Sequence, residues 1–195
     1  MTPDSRKLCI SCSIFRKEIE ALQASGQLNL PVEFLNSMLH MVPARLEVRL
    51  QEALGSARAR DPERDVVLAY GDCCGHMDTF ESAPGASRTE GINCCEIILG
   101  REVYRKLRKE GAFFLMPEWA LSWRQIFVGQ LGLLGPCAKT FMQEMHSRMI
   151  YLDTGLVPVP HATLEEASEF LGLPVALDPL LASLQQAARS AHRHD

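Results

Sequence analysis

Short apolar runs alternate along this chain with longer stretches in which apolar residues recur every three or four positions. "KLCISCSIF" is apolar and bounded by charge, and "RKEIEALQAS" after it carries helical spacing at Ile19 and Leu22 before Gly26. That reads as strand, turn, helix. "LPVEFLNSML" reads as a second strand. "PARLEVRLQEALGSARA" repeats apolar residues at Leu46, Leu50 and Leu54 behind Pro43, the pattern of an amphipathic helix. "RDVVLAYGDC" is the clearest strand, a β-branched apolar run stopped by Gly71. "CCEIILGREVYRKLRKEG" predicts a continuous helix carrying Ile97, Ile98 and Tyr104 and ending near Gly111, followed by a short strand "AFFLM" that meets Pro117.

From Trp119 to Met149 the pattern is predominantly helical, with a break expected at "GPC", because proline after glycine rarely continues a helix. "RMIYLDTG" and "LPVALD" read as two more strands. Between them lies the helix "TLEEASEFLG", in which Thr163 and Glu166 have capping-box spacing. The tail from Leu180 is expected to be a final helix, frayed from about 188, with His192 and His194 as surface residues. Strands that alternate with helices imply a mostly parallel sheet with flanking helices. The expected fold class is therefore α/β, as a single domain over residues 1–195.

Composition narrows the functional classes. At 195 residues the chain suits one domain with a substantial core, and 47 % hydrophobic with 23 % charged residues is ordinary for a globular protein. A net charge of -4 leaves no basic excess to neutralise phosphates, so neither nucleic acid nor an anionic membrane is an expected partner. The basic cluster "REVYRKLRKE" reads as a solvated helix face, because acidic residues flank it. The longest apolar stretch, "IFVGQLGLLGPCA", falls short of the roughly eighteen residues a membrane-spanning helix needs. "MTPDSRKLCISCSIF" shows no secretory pattern, and the expected location is cytoplasmic.

Seven cysteines in a reducing compartment point to packing, metal ligation or redox chemistry before disulfides. In an open parallel sheet, ligands bind beyond the carboxyl ends of the strands. Cys12 follows the first predicted strand, His40 the second and the Cys73–Cys74 pair the third, while Cys94 and Cys95 stand where a helix begins. Adjacent Cα atoms lie about 3.8 Å apart, too close for an unstrained disulfide, so one cysteine of each pair is the better ligand. Alternation along extended chain would turn its neighbour into the core. Cys73 and Cys94, closer to the preceding strand or loop end, are the favoured members. Three thiolates and an imidazole would make a tetrahedral Cys3His zinc site or hold an iron–sulfur cluster; ordinary buried thiols are the bland alternative.

Other features are weaker. Cys9 and Cys12 form "CISC", with the spacing of redox and zinc sites, yet Cys9 lies inside a predicted strand and reads equally as core. A redox role would place Cys12 at a helix N-terminus, where the dipole favours a thiolate. "GQLGLLG" has the wrong glycine spacing for a dinucleotide site, and no Walker loop or G-x-S-x-G elbow is present. Asp72, Asp78, Glu90 and Glu96 stand near the thiols, where carboxylates are usually solvated. Trp119 and Trp123 read as packing, and Asp153 and Thr154 as a turn or a polar contact at a strand end.

Several of these segments also carry a family likeness. "YGDCCG", "INCCEIILGREVY" and "GAFFLMPEWALSW" resemble successive motifs of the family called domain of unknown function 1638, and "ISCSIFRKEI" and "LHMVPARL" resemble its earlier segments. The resemblance spans most of the chain in the right order. It features one cysteine per segment together with the histidine, which maps to Cys12, His40, Cys73 and Cys94 and leaves Cys9, Cys74, Cys95 and Cys137 as extras. The chain departs from the motif at Asn93, where the family has aspartate, and at Glu118, where it has glycine. The resemblance implies no established activity; family members are loosely described as corrinoid-linked and occur in settings of one-carbon methyl transfer. The leading expectation is a cytoplasmic metal-binding protein, with zinc or an iron–sulfur cluster and a corrinoid protein or methyltransferase as partner. As an enzyme it would be a metal-dependent methyltransferase. Two other readings stand beside it: a non-enzymatic accessory module for a corrinoid methyltransferase, and a thiol redox protein using a reversible Cys73–Cys94 disulfide.

Overall fold

A computed structural model describes residues 6–179. The chain divides into two compact units, Met1–Arg101 and Glu102–Asp195. Both have parallel sheets with helices between the strands, so the architecture is α/β, as the alternation predicts. The proposed C-terminal helix, with His192 and His194, lies outside the described residues. Among those residues, no helix is long and apolar enough to cross a membrane.

In the first unit, β1 (Lys7–Cys12) leads through a 3₁₀ turn (Ser13–Phe15) into α1 (Arg16–Ala24). β2 (Val32–Leu35) leads through a second 3₁₀ segment (Ser37–Met41) into α2 (Pro43–Arg60). β3 (Asp65–Ala69) is followed by α3 (Met77–Glu81), and β4 (Ala86–Arg88) by α4 (Cys94–Leu99). The sheet order is β2-β1-β3-β4, with every pairing parallel. All four carboxyl ends therefore leave from one edge.

The core of this unit forms where α2 covers the sheet. Pro43 starts α2 with a preset φ, and Leu46, Leu50, Ala53, Leu54 and Ala57 make the buried stripe that packs with Ile10, Val66 and Leu68. Leu50 has no exposed surface. Leu50→Ala is expected to destabilise the protein by about 3 kcal/mol, read as a lower midpoint in urea unfolding; an unchanged midpoint would contradict this packing.

β4 and α3 have no counterpart in the hydrophobic pattern. β4 is three residues of "ASR" behind Gly85 (φ +69), and it becomes a strand only by pairing with Val66, Val67 and Leu68. The predicted continuous helix from Cys94 is also interrupted. Gly100 (φ +76) closes α4 by donating its N–H to the Glu96 carbonyl at 2.8 Å, and α5 (Arg101–Lys109) begins immediately after it. α5 is largely exposed apart from Tyr104, in agreement with a solvated basic face.

In the second unit, β5 (Ala112–Leu115), α6 (Pro117–Leu121), a π-helical turn (Gln125–Gln130) and α7 (Gly135–Met145) precede β6 (Arg148–Asp153). α8 (His161–Leu171) and β7 (Val175–Pro179) follow. The sheet is parallel, in the order β5-β6-β7. Trp123 is buried against Phe170, with ring centroids 5.1 Å apart, and Trp119 packs against the same core, as their packing reading expects. "GPC" starts α7, Pro136 occupying the first turn where its missing N–H costs nothing. The Thr163–Glu166 capping box does not form. α8 begins two residues earlier, at His161, so Thr163 is already inside the helix, and Glu166 instead pairs with Arg124 at 3.0 Å.

Candidate functional site

Cys12 is the last residue of β1, in register with Leu35 at the end of β2. Ser13 Oγ accepts the Ser37 N–H at 2.9 Å, tying the loops beyond these two strands together. Asn36 Oδ1 accepts the Met38 N–H at 2.8 Å and so starts the 3₁₀ segment that carries His40. Beyond β3 come Tyr70, Gly71, Asp72, Cys73 and Cys74, turned sharply by the Cys73 N–H donating to the Gly71 carbonyl at 2.8 Å.

The next loop is pressed against that turn. The Asp72 N–H donates to the Ile92 carbonyl at 2.8 Å. A Cβ at Gly71 would lie 2.5 Å from the Asn93 Cα, so only glycine allows the two backbones to approach this closely. Asn93 Oδ1 accepts the Glu96 N–H at 2.9 Å and caps α4, whose first two residues are Cys94 and Cys95. An aspartate in place of Asn93 has the same acceptor oxygen and can perform the same cap. Arg88, at the end of β4, holds Asp72 at 2.7 Å and Glu81 at 2.9 Å.

This scaffold brings thiols together. Cys12, Cys73, Cys74 and Leu39 pack against the core cluster that includes Tyr70. Tyr70 is only 2 % exposed, and its hydroxyl has no hydrogen-bond partner among the described residues. Burial holds the phenol above its ordinary pKa, and negative charge on Cys12, Cys73, Cys9 or Cys74 would raise it further. The Cys73 thiol is pushed up to about 11, by burial first and then by the neighbouring Cys94. The Cys94 thiol is raised as well, first by its contact with Cys95 at a sulfur–sulfur distance of 3.9 Å and then by burial.

His40 shares this edge through its place after β2. It is exposed as a residue, yet the protein around its ring displaces enough water to lower the imidazole pKa, which favours the neutral, metal-ligating form. Among the described residues, no group of three or more His, Cys, Asp and Glu side chains stands in a metal-ligating arrangement. No cysteine among them forms a disulfide. The scaffold thus gathers donors at one edge without closing them into a coordination shell.

Two of the raised thiols carry a pH consequence. Cys9 and Cys73 both move from 9.0 in the ordinary thiol to about 11 in the fold. The folded state therefore holds their protons more tightly, and the associated stability is complete below pH 9 and lost as the pH rises toward 11. The loss should approach about 2 to 3 kcal/mol per thiol. Urea midpoints of the reduced, metal-free protein should be level up to about pH 9 and then fall; a level profile through pH 10.5 would refute the burial of these thiols.

The cysteine pairs behave differently from the extended-chain expectation. Cys94 and Cys95 stand in a helix, where alternation does not apply, and both are half-buried. Cys73 and Cys74 are also both half-buried and both lie against the core. Cys9 is buried in β1, in keeping with its core reading, and Cys137 is exposed near the start of α7. Asp72, Asp78 and Glu90 are exposed as expected, whereas Glu96 is 2 % exposed, with Arg101 Nε 3.4 Å from Oε1. Asp153 forms a turn, its Oδ1 accepting the Gly155 N–H at 2.9 Å.

Tyr70, Gly71 and Arg88 were missed as site residues. Tyr70 ends an apolar run and looks like core, and nothing local marks Arg88 as the partner of Asp72. The one available signal was Gly71, a glycine directly after a buried strand, which can mark a close backbone approach.

No curated protein and no solved structure matches the chain. The family described as protein of unknown function (DUF1638) matches residues 34–184. That match takes in His40, Cys73 and Cys94, while Cys12 precedes it. Because it covers well over half of the chain, this protein belongs to the DUF1638 family.

Proposed function

We propose that the carboxyl edge of the four-stranded sheet is a metal centre held by Cys12, His40, Cys73 and Cys94. The observation that carries this reading is the packing of thiols from β1 and the β3 loop, Cys12, Cys73 and Cys74, against one core cluster, with Cys94 of the α4 start acting on Cys73. Such a group of thiols is poorly stabilised as anions by its own surroundings, since burial and then Cys94 raise the thiol pKa of Cys73, and contact with Cys95 and then burial raise that of Cys94. A bound cation would reverse that balance and hold them as thiolates. The donor set suits zinc, and its thiol-rich part suits an iron–sulfur cluster.

Zinc in a thiolate-rich site holds a bound thiol deprotonated and nucleophilic, whereas an iron–sulfur cluster would serve electron transfer. The chain's own residues supply the enclosure. Leu39 and Phe80 pack against the same core cluster as the thiols, and the tight 71–73 turn orients Cys73. The family resemblance makes corrinoid-linked methyl transfer the setting we favour, with a corrinoid protein or methyltransferase as partner. In that setting the protein is either a metal-dependent methyltransferase or an accessory to one.

The decisive test is anaerobic purification followed by metal and acid-labile sulfide analysis with a visible spectrum. About one zinc per chain without sulfide supports a thiol-activating site, and iron with sulfide supports a cluster. Neither metal nor chromophore in repeated preparations would sink the metal centre and favour the binding module.

A thiol redox role draws on the same Cys73–Cys94 proximity. Raised pKa values weigh against it, because disulfide exchange needs an accessible thiolate. Mass spectrometry after mild oxidation should find Cys73 and Cys94 without a mutual bond; a loss of two hydrogens joining them would restore the redox reading.

A further inference from the structure

We infer that the cavity between the Glu90–Gly91 loop and the junction of α4 and α5 binds a small primary ammonium ion, the buried Glu96 carboxylate accepting its N–H groups in place of Arg101. It does not rest on the metal-centre reading. The cavity has a volume of about 220 Å³ and is lined by Glu90, Gly91, Glu96, Ile97, Gly100 and Arg101, all of the first unit. At roughly 30 Å³ per water it has the space of about seven waters, enough for a short amine and too little for a drug-sized ligand.

The Glu96 carboxylate is the reason to expect a ligand there. The residue is 2 % exposed, and its Oε2 is shut off from water with no hydrogen-bond partner among the described residues. Its Oε1 faces Arg101 Nε at 3.4 Å, a long contact from a side chain that is itself 63 % exposed. Burying a carboxylate is costly unless its lone pairs are filled, and one long contact leaves most of that accepting capacity unused.

The charge and shape of the cavity select the ligand. Two carboxylates, Glu96 and the exposed Glu90, line it against one cation, Arg101. An ammonium group brings three donors on a compact head and can reach both carboxylate oxygens. Ile97 offers its alkyl part an apolar wall, and the space beside Gly100 is open, since a Cβ built there would meet nothing within 4 Å. Because Arg101 lies mostly in solvent, displacing it returns its guanidinium to water at little cost.

The test follows the backbone amides of Gly91, Ile97 and Gly100 by NMR while ethylammonium chloride is added to the full chain. Tetramethylammonium chloride at equal concentration serves as a cation without N–H groups. With so few non-hydrogen atoms, ethylammonium can bind no more tightly than about a millimolar dissociation constant, so saturable shifts of these amides are expected in the millimolar range. Glu96→Gln keeps the shape without the charge and should bind about 10-fold more weakly or worse. Arg101→Met removes the competing cation and should bind more tightly. No saturable shift in the parent, an equal response to tetramethylammonium, or unchanged affinity in Glu96→Gln overturns the inference and leaves Glu96 a structural residue held by Arg101. Should Glu96→Gln not fold, Arg101→Met decides: tighter binding supports displacement of the guanidinium, and equal or weaker binding refutes it. None of these readings depends on metal content, so they stand whichever way the metal centre is decided.

Discussion

Cys73→Ser is expected to reduce bound metal from about one per chain to below about a tenth, with the far-ultraviolet circular dichroism unchanged. Cys73 is the residue through which the candidate site is connected. It packs against the cluster containing Tyr70, adjoins Cys94 electrostatically, and is held by the turn that its own N–H closes on Gly71. Serine keeps the size and the turn, so the fold should survive. It removes the soft thiolate, the donor that distinguishes zinc or iron–sulfur binding from ordinary hydration. Cys12→Ser, His40→Ala and Cys94→Ser should fall in the same direction. Cys9→Ser and Cys137→Ser should keep their metal, since one lies within β1 and the other near the start of α7. Full occupancy in all four ligand variants would refute the assignment.

Gly71→Ala should produce a large structural effect for a single methyl group, a loss on the order of 3 kcal/mol. Its Cβ would stand 2.5 Å from the Asn93 Cα and N and from the Ile92 carbonyl carbon, all of them backbone atoms that cannot rotate aside. Relief requires the loop after β3 and the loop before α4 to separate. That movement would break the 2.8 Å bond from Asp72 to Ile92 and draw Cys73 away from Cys94. Metal affinity should therefore fall together with stability. Gly75→Ala, four residues further along the same loop, meets nothing within 4 Å and should change stability by no more than about 0.5 kcal/mol. Equal urea midpoints for the two variants would show that the close approach at Gly71 is not a constraint.

Much of the architecture was legible because it depends on local pattern. The apolar run "VVLAY" could only be a buried strand, and the 3–4 spacing from Leu46 to Ala57 could only cover one face of a helix. The same reading places His40 and Cys73 after strands and Cys94 at a helix start, where the structure has them, whereas Cys12, expected after the first strand, is the last residue of β1. Predictions failed where a local rule was applied outside its conformation. Alternation of adjacent cysteines assumes extended chain, but Cys94 and Cys95 begin a helix. Residue type alone predicts a solvated Glu96, whereas its position in the first turn of α4 buries it.

What the sequence determined by itself was the α/β class, the main elements and the residue types delivered to their ends, because hydrophobic period and turn chemistry are properties of neighbouring residues. Tertiary structure decided which ends became neighbours. The order β2-β1-β3-β4 places the Cys12 and Cys73 loops side by side, and β4 exists only through its pairing with β3. The close approach of the backbones at Gly71 and Asn93 brings the loop of Cys73 against the loop that leads to Cys94. These relations rest on sheet register and close packing between segments some twenty residues apart, and a periodicity read along one segment carries no information about them.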